Sequence, residues 1–263
     1  MSEYNFEKYN VDRQHVTDVF NEYVKDYDAD NPKVALKISH TGRVAYLCER
    51  IAGSLSLSEK EKDFAWLCGM LHDIGRFEQL KRYNTFADAK SVDHASLGCE
   101  ILFDDGLIRK FISDDSLDSL LKRVLGNHSV YILEGLNETE MKYARILRDA
   151  DKIDIFRVQL DTPMEEIYDV SLYELKNSEV TKEVMDSFFE KHATKRSLKR
   201  SAVDYVVGHV SLAFELVYPE SRRIAVEQGY LEKLMLFHSD NEKTRGQLKE
   251  VYDFMHKWLD ENM

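Results

Sequence analysis

Residues 64–75 read Phe-Ala-Trp-Leu-Cys-Gly-Met-Leu-His-Asp-Ile-Gly. Phe64, Leu67, Cys68 and Leu71 recur at the three- and four-residue spacing of a single helix face, and His72 extends that row from Cys68. The row therefore aims an imidazole inward at the end of an apolar helix, with Asp73 beside it and Gly75 read as a C-terminal stop. Neighbours on a helix point about 100° apart, so His72 and Asp73 converge only where the last turn gives way to a loop.

The same pattern repeats on both sides. Upstream, His40 lies in line with Val44, Leu47 and Ile51. Downstream, His94 lies in line with Leu97, Gly98, Ile101 and Leu102, and the row Leu117, Leu120, Leu121, Val124, Leu125 leads to His128. Ala144, Leu147, Asp151 and Ile155 share a face with Val158. One inward histidine is more often a hydrogen-bonded core residue than a ligand. Four of them with an inward aspartate, on five consecutive helices, argue otherwise, because buried carboxylates are paired, neutralised or metal-bound. Imidazole and carboxylate together suit Zn, Fe, Mn or Co.

Helical periodicity dominates the whole chain, and the reading is all-α. Helices are expected near 11–28, 33–55, 59–74, 93–104, 115–128, 138–159, 163–175, 179–191, 198–217, 220–228 and 240–261. Ser58 with Glu61 and Asn137 with Glu140 have capping-box spacing. Residues 76–91, RFEQLKRYNTFADAKS, read as a long surface loop between two core helices, with Phe77, Tyr83 and Phe86 available to stack a base or to anchor the loop. The scarcity of turn residues (11 Gly and 3 Pro in 263) argues against a β-sandwich or barrel.

Composition excludes several classes. Lys plus Arg number 36 against 48 Asp plus Glu, a formal charge of −12, which disfavours nucleic-acid polymers and anionic membranes but not a small phosphorylated ligand. The three cysteines, Cys48, Cys68 and Cys99, have no CxxC spacing and read as small buried thiols in a reducing, cytoplasmic setting. No stretch reads as a signal peptide or a bilayer span.

These strings resemble the HD-domain metal-dependent phosphohydrolases, in which a His-Asp doublet lies between an upstream His and a downstream Asp on separate helices. The matching positions are His40 in HTGRVAYLCERIA, His72 and Asp73 in GMLHDIGRF, and Asp151 in RILRDADKIDIF. HASLGCEIL from His94 and GNHS around His128 are similar to the dinuclear branch that includes the HD-GYP phosphodiesterases. The single His128, followed by SVYILEGL, is closer to the HD hydrolases that cut dinucleoside polyphosphates. The likeness covers about residues 30–160.

The resemblance implies an HD-type helical domain, read here over residues 1–160; residues 161–263 gain nothing specific from it, and their own helical, charged pattern reads as an extension packed on the same core or forming a subunit contact. It implies one divalent ion on His40, His72, Asp73 and Asp151, and a second on His94 and His128 with Asp73 as bridge. Iron or manganese is the first expectation, with Mg, Co, Ni or Zn as alternatives. The implied activity is hydrolysis of a nucleotide or another small phosphoester. An HD-fold diiron oxygenase and a non-catalytic metal-binding regulator are the competing readings, and a homodimer is compatible with all three.

Around those ligands, Asp73 and Arg76 are the expected catalytic groups, and Arg76 and Arg43 the expected contacts to substrate phosphate. Arg148, one turn before Asp151, is expected to orient that carboxylate. Asp149 falls on the charged side with Arg145 and Lys152, and Asp154 stays near the inner face. His15, His192, His209, His238 and His256 share no ligand spacing and read as structural or exposed.

Overall fold

The computed structural model describes residues 4–28 and 30–263, and among these there is no strand. The chain divides into two compact units, Met1–Asp151 and Lys152–Met263. No helix among the described residues is long and apolar enough to cross a membrane.

The first unit contains α1 (Arg13–Val24), α2 (Pro32–Ser54), α3 (Glu59–Leu71), α4 (Ile74–Tyr83), α5 (His94–Cys99), α6 (Ile108–Phe111), α7 (Asp118–Gly126) and α8 (Glu138–Asp161) as far as Asp151. Both predicted capping boxes form: Ser58 with Glu61 at α3, and Asn137 with Glu140 at α8. The inward rows are buried as their spacing requires: Leu47, Ile51, Leu67, Leu71, Leu120 and Val124 are all inside. Each such side chain contributes about 1.5–3 kcal/mol on full burial.

Two glycines set the distances between the helices that matter here. A Cβ on Gly69 would stand 2.5 Å from Ala45 Cα and 2.7 Å from Ala45 N. Backbone therefore touches backbone between α2 and α3. One turn further on, His40 and His72 meet across the same antiparallel pair. A Cβ on Gly75 would meet His94 O at 2.3 Å and Gly98 N at 2.6 Å. Gly75 thus lets the start of α4 cross the start of α5, and it does not end a helix.

That corrects the long loop expected at 76–91: the chain is helical over Ile74–Tyr83, and only residues 84–93 lie outside α-helix, with a 3₁₀ turn over Asp88–Lys90. Asn84 ends α4 in the left-handed conformation, φ 53°, a role Asn tolerates. The short α6 has no counterpart among the expected helices, and the helix expected at 93–104 changes to a π turn over Glu100–Asp104.

In the second unit the rest of α8 is followed by α9 (Met164–Tyr168), α10 (Leu172–Asn177), α11 (Lys182–Phe189), α12 (Asp204–Val210), α13 (Pro219–Gln228), α14 (Tyr230–Met235) and α15 (Glu242–Asn262). The single helix expected at 163–175 is two, because Asp169 turns left-handed at φ 56° and Ser171 starts a new capping box. The helix expected at 198–217 is reduced to α12 between short 3₁₀ turns. In this unit the half-buried Phe214 and Phe254 pack on the buried Phe188, all three within 6.2 Å, ring centre to ring centre.

Candidate metal centre

His40 is buried on α2, and α3 ends at Leu71 so that His72 forms its C-cap. Asp73 then occupies the N-cap of α4, but its carboxylate caps nothing. An aspartate here ordinarily accepts from the helix N–H groups; this one turns inward instead. Its Oδ2 lies 3.6 Å from His40 Nε2 and 3.4 Å from His72 Nε2. Its Oδ1 lies 3.6 Å from His94 Nε2 and 3.9 Å from His128 Nε2. One carboxylate therefore faces two histidine pairs with its two oxygens. Asp151 completes the first side, with Oδ1 3.1 Å from His40 Nε2 and 3.9 Å from His72 Nε2.

Two groups of potential ligands result, His40–His72–Asp151 and Asp73–His94–His128, each with donor atoms within 4.8 Å of one another. Around one ion with bonds of about 2.0–2.2 Å, donors lie no more than about 4.4 Å apart. The separations between these donor atoms, from 3.0 to 3.9 Å, fit that limit. A third group, Asp88–Asp93–His94, has both carboxylates committed elsewhere: Asp93 caps α5 through Ser96 N, and Asp88 takes three donors.

The imidazoles are held by their far nitrogens. His72 Nδ1 donates to Gly69 O at 2.8 Å, and His128 Nδ1 donates to Leu125 O at 2.7 Å. His94 Nδ1 donates to Asp88 Oδ2 at 2.7 Å. A carbonyl or carboxylate only accepts, so each of these rings carries its proton on Nδ1 and a bare lone pair on Nε2 when neutral. His94 Nε2 and His128 Nε2 nevertheless lie 3.0 Å apart. Two acceptors facing each other in a dry site repel unless a cation lies between or beside them. The donor set thus fits a divalent metal on chemistry as well as on spacing.

Electrostatics agree. Burial, then the neighbouring His94 and His72, push His128 down to about 3, so it is a neutral ligand at any physiological pH. Burial alone would raise Asp73, but Lys37, His72 and Arg76 hold it well below the usual carboxylate range. Burial likewise opposes ionisation of Asp151, and the hydrogen bond and charge of His40 outweigh it. Both carboxylates are therefore anionic and able to ligate.

A search against family models matches residues 38–155 to the HD domain. Residues 38–155 are an HD domain. HD domains are a family of metal-dependent phosphohydrolases, and the buried His/Asp groups of this one are consistent with divalent metal binding. No curated protein matches the chain, and no solved structure does.

Around the ligands of this HD domain the structure moves several expected residues. Arg76 commits Nη1 to Gln79 Oε1, Phe86 O and Asp88 Oδ1 at 2.7–2.8 Å, while its buried Nε makes no hydrogen bond and lies in an ion pair 3.6 Å from Asp73 Oδ1. Arg43 lies on the exposed side of α2, away from the row that buries His40. Arg148 donates to the carbonyls of His128, at 3.2 Å, and of Val130. It pins the segment after α7, a role that its position one turn before Asp151 does not suggest. Asp149 is fully buried, which corrects its assignment to a charged face. Asp154 forms a two-pronged pair with Arg157 at 2.8 Å and 2.8 Å.

Phe77 is core, 1% exposed, and Tyr83 is exposed at the end of α4. Phe86 alone of the three aromatics stands near the site, with Lys37 5.5 Å and Arg76 5.8 Å from its ring centre. The cysteines are buried free thiols, and burial pushes all three upward, Cys99 to about 11, so none is a ready thiolate ligand. Two polar partners lie outside the residues expected from the sequence. Lys37 donates to Asp73 Oδ2 at 2.5 Å, and its position three residues before His40 on the inward row is the available signal. Asp88 opens the short 3₁₀ turn between α4 and α5, where no apolar periodicity marks it.

Proposed function

We propose that this protein hydrolyses a small phosphoester, with nucleotides the first class to test. His40, His72, Asp73 and Asp151 would hold one divalent ion, and His94, His128 and the other oxygen of Asp73 a second. The observation that carries this reading is Asp73, whose Oδ1 and Oδ2 each face a separate histidine pair. Iron or manganese suits the mixed imidazole–carboxylate set, with Mg, Co, Ni and Zn as alternatives. Divalent ions so bound supply electrophiles for phosphoryl oxygens and lower the pKa of water.

The chain's own contributions follow from its contacts. Asp73 and Asp151 remain anionic and bring negative charge to the two ligand groups. The Nδ1 bonds of His72, His94 and His128 fix the rings with Nε2 inward, so no reorientation precedes binding. Arg76 acts as a positioning residue, because its Nη1 ties Phe86 and Asp88 together and Asp88 orients His94.

The test is turnover of a panel of nucleoside mono-, di- and polyphosphates, cyclic dinucleotides and an aryl phosphate on protein reconstituted with each metal, its content measured beforehand. Phosphate release that disappears with its metal in His72→Ala supports the reading. Full activity and metal content in His72→Ala would remove the site assignment. Metal uptake without hydrolysis would favour a regulator, and oxygen consumption without phosphate release an oxygenase.

A further inference from the structure

Lys37 is the polar partner of Asp73 that the ligand set does not require. Its Nζ lies 2.5 Å from Asp73 Oδ2, the oxygen that faces His40 and His72. Asp73 is 3% exposed, whereas the lysine side chain is 17% exposed on a flexible four-carbon stem. The ammonium therefore bonds to the same carboxylate oxygen that a metal ion would take, and its partly exposed stem has room to leave. A dication and an ammonium on one carboxylate oxygen repel strongly at low dielectric. If it leaves Asp73, Lys37 stays at the rim beside Phe86, whose ring is shared with Arg76. This places a positive charge beside Asp73 on a chain whose formal charge is −12.

We propose that Lys37 is a place-holder cation: it neutralises Asp73 in the metal-free protein, is displaced when metal binds, and then binds a phosphoryl oxygen of the substrate. The proposal rests on the metal-centre reading above. It assigns Lys37 two successive partners through one side-chain movement, with no bond made or broken.

The experiment is calorimetric titration of metal-free wild type, Lys37→Gln and Lys37→Arg with Mn²⁺, followed by titration of each Mn-loaded protein with inorganic phosphate. Gln keeps a neutral donor for Asp73 and so protects the fold, which circular dichroism checks. Lys37→Gln is expected to bind its first Mn²⁺ on the order of tenfold more tightly, since the competing charge is gone, and phosphate on the order of tenfold more weakly. Lys37→Arg, which keeps the charge, is expected to hold the wild-type metal affinity within about threefold.

Unchanged or weaker Mn²⁺ binding by Lys37→Gln overturns the proposal, because the lysine then orients Asp73 and does not compete for it. Tighter metal with unchanged phosphate affinity overturns the second half. A wild type that takes up no Mn²⁺ or any other divalent ion fails earlier, at the metal centre itself.

Discussion

Each unit of the molecule gathers buried titratable side chains, and the two gatherings differ in what they leave unpaired. In the second unit, Tyr168 stacks between Tyr205, at 5.1 Å and 21°, and His209, at 5.4 Å and 11°, and its hydroxyl is hydrogen-bonded to His209 Nδ1 at 3.0 Å. Lys199 covers the face of Tyr205 at 5.2 Å. Rings and hydrogen bonds satisfy one another there, and the cluster reads as packing. In the HD domain the far nitrogens of His72, His94 and His128 are satisfied, while the near nitrogens of His94 and His128 point at each other 3.0 Å apart. Burial is common to both. Convergent lone pairs belong to only one of them, and they mark the place for a cation.

The largest effect should come from the carboxylate that joins the two histidine pairs. Asp73→Asn removes an anion that both groups share, so Mn²⁺ affinity should fall at both by more than the 10–100-fold typical of an outer partner, and turnover with it. Mn²⁺ should raise the melting temperature of wild type and leave that of Asp73→Asn unmoved, because stabilisation by a ligand follows its affinity. Differential scanning calorimetry with and without metal checks this. A variant that still binds two ions at wild-type strength would dissolve the contrast between the units.

Next in size is Gly75→Ala. Its Cβ would stand 2.3 Å from His94 O and 2.6 Å from Gly98 N, both backbone atoms that cannot swing aside. Overpacking of this kind costs about 1–3 kcal/mol, and separating α4 from α5 moves His94 off its partner. Gly42→Ala is the control, since a Cβ there has nothing within 4 Å and Ala stabilises a helix interior by roughly 0.5–1 kcal/mol. Urea denaturation of both variants should give shifts of opposite sign.

Asp88→Asn is milder and sharper. The amide oxygen still accepts from His94 Nδ1, but the charge is lost, and outer partners of this type are worth about 10–100-fold in metal affinity. The loss should fall on the Asp73–His94–His128 group alone, so a two-phase Mn²⁺ titration should show one phase weakened and the other unmoved. Uniform weakening would mean that Asp88 supports the whole fold of the site.

How much of this is legible in the sequence depends on periodicity. His40, His72, His94, His128 and Asp151 each extend an apolar row, so helix geometry alone puts them inside, and the structure brings them together. Asp73 sits off any row and is marked only by its neighbour. Helix α4 is hidden because Gly75 looks like a stop; its real constraint is a backbone contact with α5, which a single sequence does not display. Arg148 and Arg76 stand close in sequence to Asp151 and His72, yet their guanidinium groups reach carbonyls and carboxylates in segments that have no period at all. Long cationic side chains bond wherever their reach takes them, so their partners are the least legible part of a site.

The smallest effect tests the other half of the comparison. Burial, and then Lys199, push His209 down to about 3, against about 6.5 in the unfolded chain. Between those values the unfolded state binds a proton that the folded state does not. The stability this group confers is therefore complete above about pH 6.5 and declines as pH falls toward 3. His209→Phe keeps a ring beside Tyr168 but removes the hydrogen-bond partner of its part-buried hydroxyl. At pH 8 the variant should be less stable by about 1 kcal/mol, the worth of one hydrogen bond. At pH 5 the gap should close or reverse, because wild type alone now loses a proton-linked share. Paired urea curves at the two pH values measure it, with every other histidine titrating equally in both proteins. A gap that stays constant would mean that His209 is protonated in the folded state, and that this cluster also holds an unpaired charge in need of a partner.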